Sequence, residues 1–549
     1  MKRYPCPSSS LLCAWILGAT LLPGIARADY TLAWTTQFDG PGNGPDLVHD
    51  ILVDSAGNAY VTGESRAAGG RTVATTVKYS PDGTLLWSDA YVGPSTGGPE
   101  RGRLLALGPN DDVYVAGVEA VDGPAFPGPD VFVIRYTSAG TRQWVAHFDG
   151  VGQNSDGAND LVVDDAGNAF VAGGTTGAGF NGNMLTLRID ADGTIAWFRE
   201  FDGPAAGVDD ATGIALDGLG GVVTVGRAAA DPFFDRDYAI VRYDVDGTFL
   251  WSHVIGGPAG DIDEAHDVVC DGDGNVYVTG IYRVTSINSD FGTVKYDSAG
   301  AQVWFRQFDS PGVGRDNAQE IRLDPSGNAV VFGTSVIPTV SASTTTVEYA
   351  PDGTRLWTHQ GPGSLSFPDG NHQLALGPSG DVFTCSSNGM MVVRRLDGAT
   401  GAQLDEMTLT VDGVQDLAVG LAVTTDESVF LAGDSLRNGV GPDFDYTLAY
   451  YELGAVAAPT RDTSGVQLAS TPNPFRDRAV LDLTVPHDGE VQVILYDARG
   501  RRVRELLSRR LSAGHHRVPV PGDDLGAGVY FAEVRTPSGR TSLRVVHIR

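Results

Sequence analysis

Lysine is almost missing from this 549-residue chain: it stands only at positions 2, 78 and 295. Arginine therefore supplies nearly all the basic charge, and 38 basic against 68 acidic residues leave a formal net charge of −30. So acidic a chain repels nucleic acid and anionic membrane, so neither is an expected partner. Cysteine is scarce too. Cys6 and Cys13 lie near the N-terminus, while Cys270 and Cys385 sit singly inside apolar, strand-like segments. Two isolated cysteines make no zinc site, and buried free thiols are expected in preference to a disulfide. The sequence holds no G-x-S-x-G, no H-E-x-x-H, no Walker loop and no CxxC pair, so none of the common nucleophile, zinc or phosphate signatures is available. Past residue 22 no apolar run is long enough to span a bilayer.

What is present begins with Lys2 and Arg3, an apolar stretch over 11–22 and the small-x-small triplet Ala26-Arg27-Ala28. That order predicts a secretory signal peptide over 1–28 and a secreted or cell-surface protein. Hydrophobic residues at 42% and 72 glycines describe a folded chain with many tight turns. The charge is uneven. Residues 471–549 carry 13 Arg and 9 acidic residues (+4), leaving 38 − 13 = 25 basic and 68 − 9 = 59 acidic residues (−34) elsewhere.

Tryptophan recurs at 34, 87, 144, 197, 251, 304 and 357, at intervals of 53 to 57 residues. Between successive tryptophans come a short apolar segment such as DILVD (50–54), a turn, and an AYVTG-type segment. An alternating segment ending in tyrosine, as in TTVKYS (75–80), and a second turn of PDG type complete the unit. Four short strands per unit of about 53 residues predict an all-β fold, a β-propeller whose Trp and Tyr side chains fill the wedge between blades. The AYVTG-type strand occurs eight times, at 59–63, 113–117, 169–173, 222–226, 276–280, 329–333, 382–386 and 429–433. The chain opens on a lone Trp strand (31–39), and its last unit ends at DYTLAYYE (445–452) without one. Pairing first with last would complete an eighth blade and close the ring.

The turns DSAGN (54–58), DDAGN (164–168), DGDGN (271–275) and DPSGN (324–328) read as hairpin scaffold. Asp bonds its own backbone, and Gly and Asn accept positive φ. A calcium loop needs more carboxylates at fixed offsets. Only DGDGN offers enough oxygens, so calcium there is the alternative to an expectation of no cofactor.

The units resemble the bacterial β-propeller repeat family (SBBP-type) on residues 53–63 with 77–87 and 268–280 with 294–304. The resemblance spans about 31–452 and implies the propeller fold; the family is usually assigned seven blades, the alternative to eight. Residues 453–469 read as a linker. From 470 onwards, runs of short strands predict a small Ig-like β-sandwich. That module resembles the type IX secretion sorting domain and the related Ig-like domain of flagellar hook-capping proteins. The matching positions are Pro472-Asn473-Pro474-Phe475, Ile494 to Arg501, Leu525 to Phe531 and Val545 to Arg549. The resemblance implies an export address engaging secretion machinery.

Functional residues should break the repeat. Ahead of each first apolar strand stand His49, Arg103, Asn159, Thr212, His266, Gln319, His372 and Val419. The next positions are Asp50, Leu104, Asp160, Gly213, Asp267, Glu320, Gln373 and Gly420. If that strand lines a channel, these form two rings at one opening. Three histidines, two beside carboxylates, suit a metal or acid–base chemistry; the plainer reading is hydrogen bonding between blades. No residue is assigned as catalytic, cofactor-binding or metal-binding. The expected function is a monomeric, non-catalytic binding scaffold for an extracellular glycan or protein. The alternative is an extracellular polysaccharide or peptide hydrolase or lyase working at the channel mouth.

Overall fold

The computed structural model describes residues 30–549 except 43, 96–97, 122–127, 151–153, 177–181, 206, 232–234, 312–313, 338–339, 365–371, 412–415, 437–443, 454–466, 472–474, 476–477, 498–501, 523–524, 526–527, 537–538 and 548–549. The segment 1–28 read as a signal peptide, and with it Cys6 and Cys13, lies outside the described residues. Two compact units emerge, Tyr30–Gly454 and one holding Ala455–Arg549. Strands make up nearly all the regular structure; the one helical turn among the described residues is a 3-10 turn at Pro109–Asp111.

The larger unit holds eight four-stranded antiparallel sheets among its described residues. Sheet 1 runs in chain order through Leu47–Val53, Ala59–Arg66, Thr72–Tyr79 and Leu85–Tyr91. Sheets 2 to 7 follow the same plan from inner strands Glu100–Leu107, Gly157–Val163, Asp210–Leu216, Glu264–Cys270, Asn317–Leu323 and Leu374–Leu376. Sheet 8 is built of Asp416–Val423, Val429–Leu436 and Phe444–Leu453, with Tyr30–Phe38 as its outer strand. The last two pair antiparallel from Tyr30 opposite Leu453 to Phe38 opposite Tyr446. Each inner strand touches the next, and the inner strand of sheet 8 touches that of sheet 1.

The core is divided in the same way, one buried cluster for each pair of neighbouring sheets. Val61, Val77 and Tyr79 of sheet 1 pack with Phe430, Ala432 and Tyr450 of sheet 8; Tyr60 and Leu52 of sheet 1 pack with Val115 and Phe132 of sheet 2. Period-2 alternation turns one set of side chains towards each neighbour, so nearly every residue of the middle strands is buried. Each tryptophan leaves its own sheet to cap the next. Trp34, Trp87, Trp144, Trp197, Trp251, Trp304 and Trp357 donate their Nε1–H to Pro81, Ser138, Ala191, Val245, Ser298, Pro351 and Gly398 carbonyls in the following sheet. Sheet 7 keeps its outer strand, Gln403–Leu409, without a tryptophan.

The acidic turns close on themselves. Asp54 Oδ1 accepts the amides of Ala56 and Asn58 at 3.0 and 2.8 Å, and the Asn58 side-chain amide bridges both carboxylate oxygens. Asp271 in DGDGN does the same with Asp273, Asn275 and the Asn275 side chain. Glycine takes positive φ in these turns, +81° at Gly57 and +77° at Gly274, where a side chain is strained.

In the second unit a three-stranded sheet (Gln467–Thr471, Arg478–Val485, Gly514–Pro521) and a four-stranded one (Arg502–Leu511, Gly489–Asp497, Gly528–Thr536, Gly539–His547) share one core. Leu481, Leu483 and Val520 meet Val493, Leu495 and Val534 within it. The strand at Gln467 starts inside the stretch read as linker. Phe475 is buried, packs at a tilt against the His547 ring with centroids 5.0 Å apart, and donates its amide to the Val546 carbonyl at 2.9 Å. Pro472 to Pro474, Ala498 to Arg501, Gly526 to Ala527 and Ile548 to Arg549 lie outside the described residues.

Candidate functional site

A bulge in the inner strand builds the site. Pairing with the second strand skips one residue between Val48 and Asp50, Gly102 and Leu104, Ala158 and Asp160, Ala211 and Gly213, Ala265 and Asp267, Ala318 and Glu320, and Ala418 and Gly420. The skipped residues are seven of the eight ring positions, from His49 to Val419. A bulge re-aims its side chain, and all eight ring residues line one cavity of about 1100 Å³. The eighth, His372, precedes a strand of only three residues and takes φ +71°.

Beneath them the second row follows a rule of satisfied amides. Asp50 accepts the amide of Ile51 on one oxygen and of Leu105, in the next sheet, on the other, both at 2.7 Å. Asp160 serves Leu161 and Ile214, and Asp267 serves Val268 and Ile321, in the same manner. One carboxylate therefore spans two sheets, and Leu104 and Gly213 stand where a second acid has no amide left to accept. Glu320 receives the amides of Gln373 and Leu374, and the His372 carbonyl receives that of Leu421. These acids are spent on backbone rather than aimed at a reacting atom.

The upper row bridges sheets as well. Asn159 donates to Ala211 O at 2.7 Å and Thr212 to Ala265 O at 2.6 Å, while His266 Nδ1 lies 2.7 Å from Ala318 O. His372 Nδ1 lies 2.6 Å from Asp50 Oδ1. Burial works to lower its pKa, but the Asp50 carboxylate outweighs burial and raises it. His49 is the opposite case: burial lowers its pKa, and its Nε2 is buried with no hydrogen bond among the described residues. The structure thus brings the three histidines to one cavity but not to one another's ligand sphere: none occurs in a close cluster of metal-binding side chains among the described residues. Sequence reasoning missed Arg322, which bonds Asp267 at 2.7 Å and Glu320 at 2.9 Å. It missed Asp434 too, whose Oδ1 accepts the Val48 amide at 2.8 Å. Both sit on strand positions that look like scaffold. Cys270 lines the same cavity and Cys385 is buried; both are free, and burial pushes the Cys270 thiol up to about 12.

Repeated four-stranded antiparallel sheets, each packed on the next, define the larger unit as a β-propeller. In agreement, a family model described as "Beta-propeller repeat" matches residues 33–69. Among solved structures the chain is similar to a protein of unknown function from Bacteroides caccae (16% identity, 48% of this chain and 81% of that one, TM-score 0.30). It is similar to PorZ, a surface component of the type IX secretion system of Porphyromonas gingivalis (10% identity, 91% and 81%, TM-score 0.31). A third is Drosophila Plexin A in complex with Semaphorin 1b (10% identity, 78% and 88%, TM-score 0.38). No curated protein matches the chain. No helix among the described residues is long and apolar enough to cross a membrane.

Proposed function

We infer that the chain is an exported, non-catalytic binding scaffold: a closed eight-bladed propeller that presents its channel mouth to an extracellular glycan or protein. The observation that carries this reading is the division of labour in the cavity. The second-row carboxylates are consumed by backbone amides, while bulges aim His49, Arg103 and their counterparts inward. Rigid polar side chains on a fixed frame recognise a ligand; an acid–base pair free to act is what a hydrolase needs. The C-terminal module is an Ig-like sorting domain that addresses the protein to the secretion machinery and the cell surface.

Glycan and peptide arrays probed with the full exported chain test the binding role. Specific binding that a combined His49→Ala, His266→Ala and Arg103→Ala variant loses while staying folded supports it. Turnover of a polysaccharide or peptide by the wild-type protein overturns it. Removing 471–549 should trap or misplace the protein, and normal surface delivery of the truncated chain would refute the sorting role.

A further inference from the structure

Three junctions between sheets repeat one trio of aspartates. Asp130 opens the third strand of sheet 2, Asp149 follows the outer strand, and Asp156 precedes the inner strand of sheet 3. Each brings one carboxylate oxygen within 4.8 Å of the other two. Asp290, Asp309 and Asp316 do the same between sheets 5 and 6, and Asp445, Asp39 and Asp46 between sheets 8 and 1. In every trio two aspartates are buried and the third is exposed.

Three carboxylates so close repel one another unless something positive lies between them. Among the described residues no arginine or lysine pairs with Asp130, Asp149, Asp156, Asp290, Asp309 or Asp316. Nor does the backbone satisfy them all. Asp130 is 92% buried, at 8% exposure, and no hydrogen bond reaches its carboxylate among the described residues. Asp156 accepts the Gly150 amide on Oδ2 at 2.5 Å. Its Oδ1 is buried without a well-formed bond, although the Thr176 backbone helps to steady its charge.

The junction of sheets 1 and 2 supplies a control. The position of Asp156 is there taken by Glu100, and those of Asp130 and Asp149 by Val73 and Val92. Arg71 reaches in to ion-pair with Glu100 and donates to Ser95 O at 2.7 Å. There the chain provides its own cation for Glu100; at the junctions of sheets 2 and 3 and of sheets 5 and 6 no arginine or lysine among the described residues pairs with the trio.

The geometry points to a hard divalent cation of the calcium class, held by the three carboxylates at the junctions of sheets 2 and 3 and of sheets 5 and 6 and clamping one sheet to the next. Oxygens bound to one calcium ion at about 2.4 Å each lie no more than about 4.8 Å apart, and the three carboxylate oxygens of each trio fall within that reach. The exposed aspartate gives the ion its way in. Without the ion, burial and the neighbouring Asp149 and Asp156 push Asp130 up to about 7, and burial pushes Asp290 up to about 6, so protons compete with the ion as the pH falls towards 6. Binding would therefore release protons.

Calorimetric titration of the chelator-stripped full chain with calcium chloride at pH 7.5 tests this. Saturable binding is expected, with one equivalent lost in Asp149→Asn and another in Asp309→Asn. Both replaced residues are exposed, so circular dichroism should be unchanged. Binding at pH 6 should be weaker than at pH 7.5. No saturable binding up to millimolar calcium, or an unchanged stoichiometry in both folded variants, would overturn the assignment.

Discussion

The Trp34 indole lies flat against Gly83, so that a Cβ at Gly83 would stand 3.0 Å from the ring. Trp34 belongs to the outer strand of sheet 8 and Gly83 to the second turn of sheet 1, and the contact joins the two ends of the repeat. Gly140, Gly193, Gly247, Gly300, Gly353 and Gly401 meet the next six tryptophans in the same way. Each glycine serves twice, taking positive φ and leaving room for the indole.

Gly83→Ala should therefore cost about 1–3 kcal/mol, since φ is +84° there and the ring cannot retreat from the sheet below it. Thermal denaturation measures this. Gly70→Ala, at φ +85° with nothing within 4 Å, isolates the backbone contribution and should cost less.

Asp50→Ala should destabilise by about 2–5 kcal/mol, because two amides in neighbouring sheets lose their acceptor at once. It also frees His372 from its carboxylate partner, so the histidine pKa should fall. Urea denaturation and histidine NMR titration check the two halves of this prediction. An unchanged His372 titration would contradict the pairing.

How far the sequence carried the fold depends on how periodic each feature is. The four-strand unit, the eight AYVTG-type strands and the place of Tyr30–Phe38 beside Phe444–Leu453 were legible because they repeat or break the repeat cleanly. The ring from His49 to Val419 was legible as odd residues at one aligned position. What stayed hidden was why the row below alternates: Asp50, Leu104, Asp160 and Gly213 make sense only once one carboxylate is seen to serve two sheets. The aspartate trios escaped too, since Asp130, Asp149 and Asp156 come from three segments of a chain crowded with acids.

Stability should fall as pH rises from 5 to 8 in the presence of chelator. Burial pushes Asp434 up to about 8, and Asp130 is raised to about 7. A carboxyl whose folded pKa exceeds its unfolded value, near 4, stabilises fully below that value and loses the contribution as pH passes the folded pKa. Asp434→Asn should keep the Val48 bond, remove the charge, and raise the melting temperature at pH 8 relative to wild type. A wild-type protein more stable at pH 8 than at pH 5 under chelation would contradict this.

Cys270 and Cys385 should resist alkylation in the folded protein at pH 8 and react fully in guanidinium, since burial raises both thiols. Peptide mass mapping distinguishes them. Rapid labelling of either in the native state would contradict their placement.

The latch between the chain's first and last propeller strands is most directly tested by a paired substitution, Thr31→Cys with Glu452→Cys. These exposed residues face each other in the register of sheet 8. Mild oxidation should form the disulfide nearly completely, seen as a loss of two thiols, with a melting temperature that rises and returns on reduction. Both introduced thiols still free after oxidation of the folded protein, over and above the native thiols of Cys270 and Cys385, would show that the strands do not lie side by side.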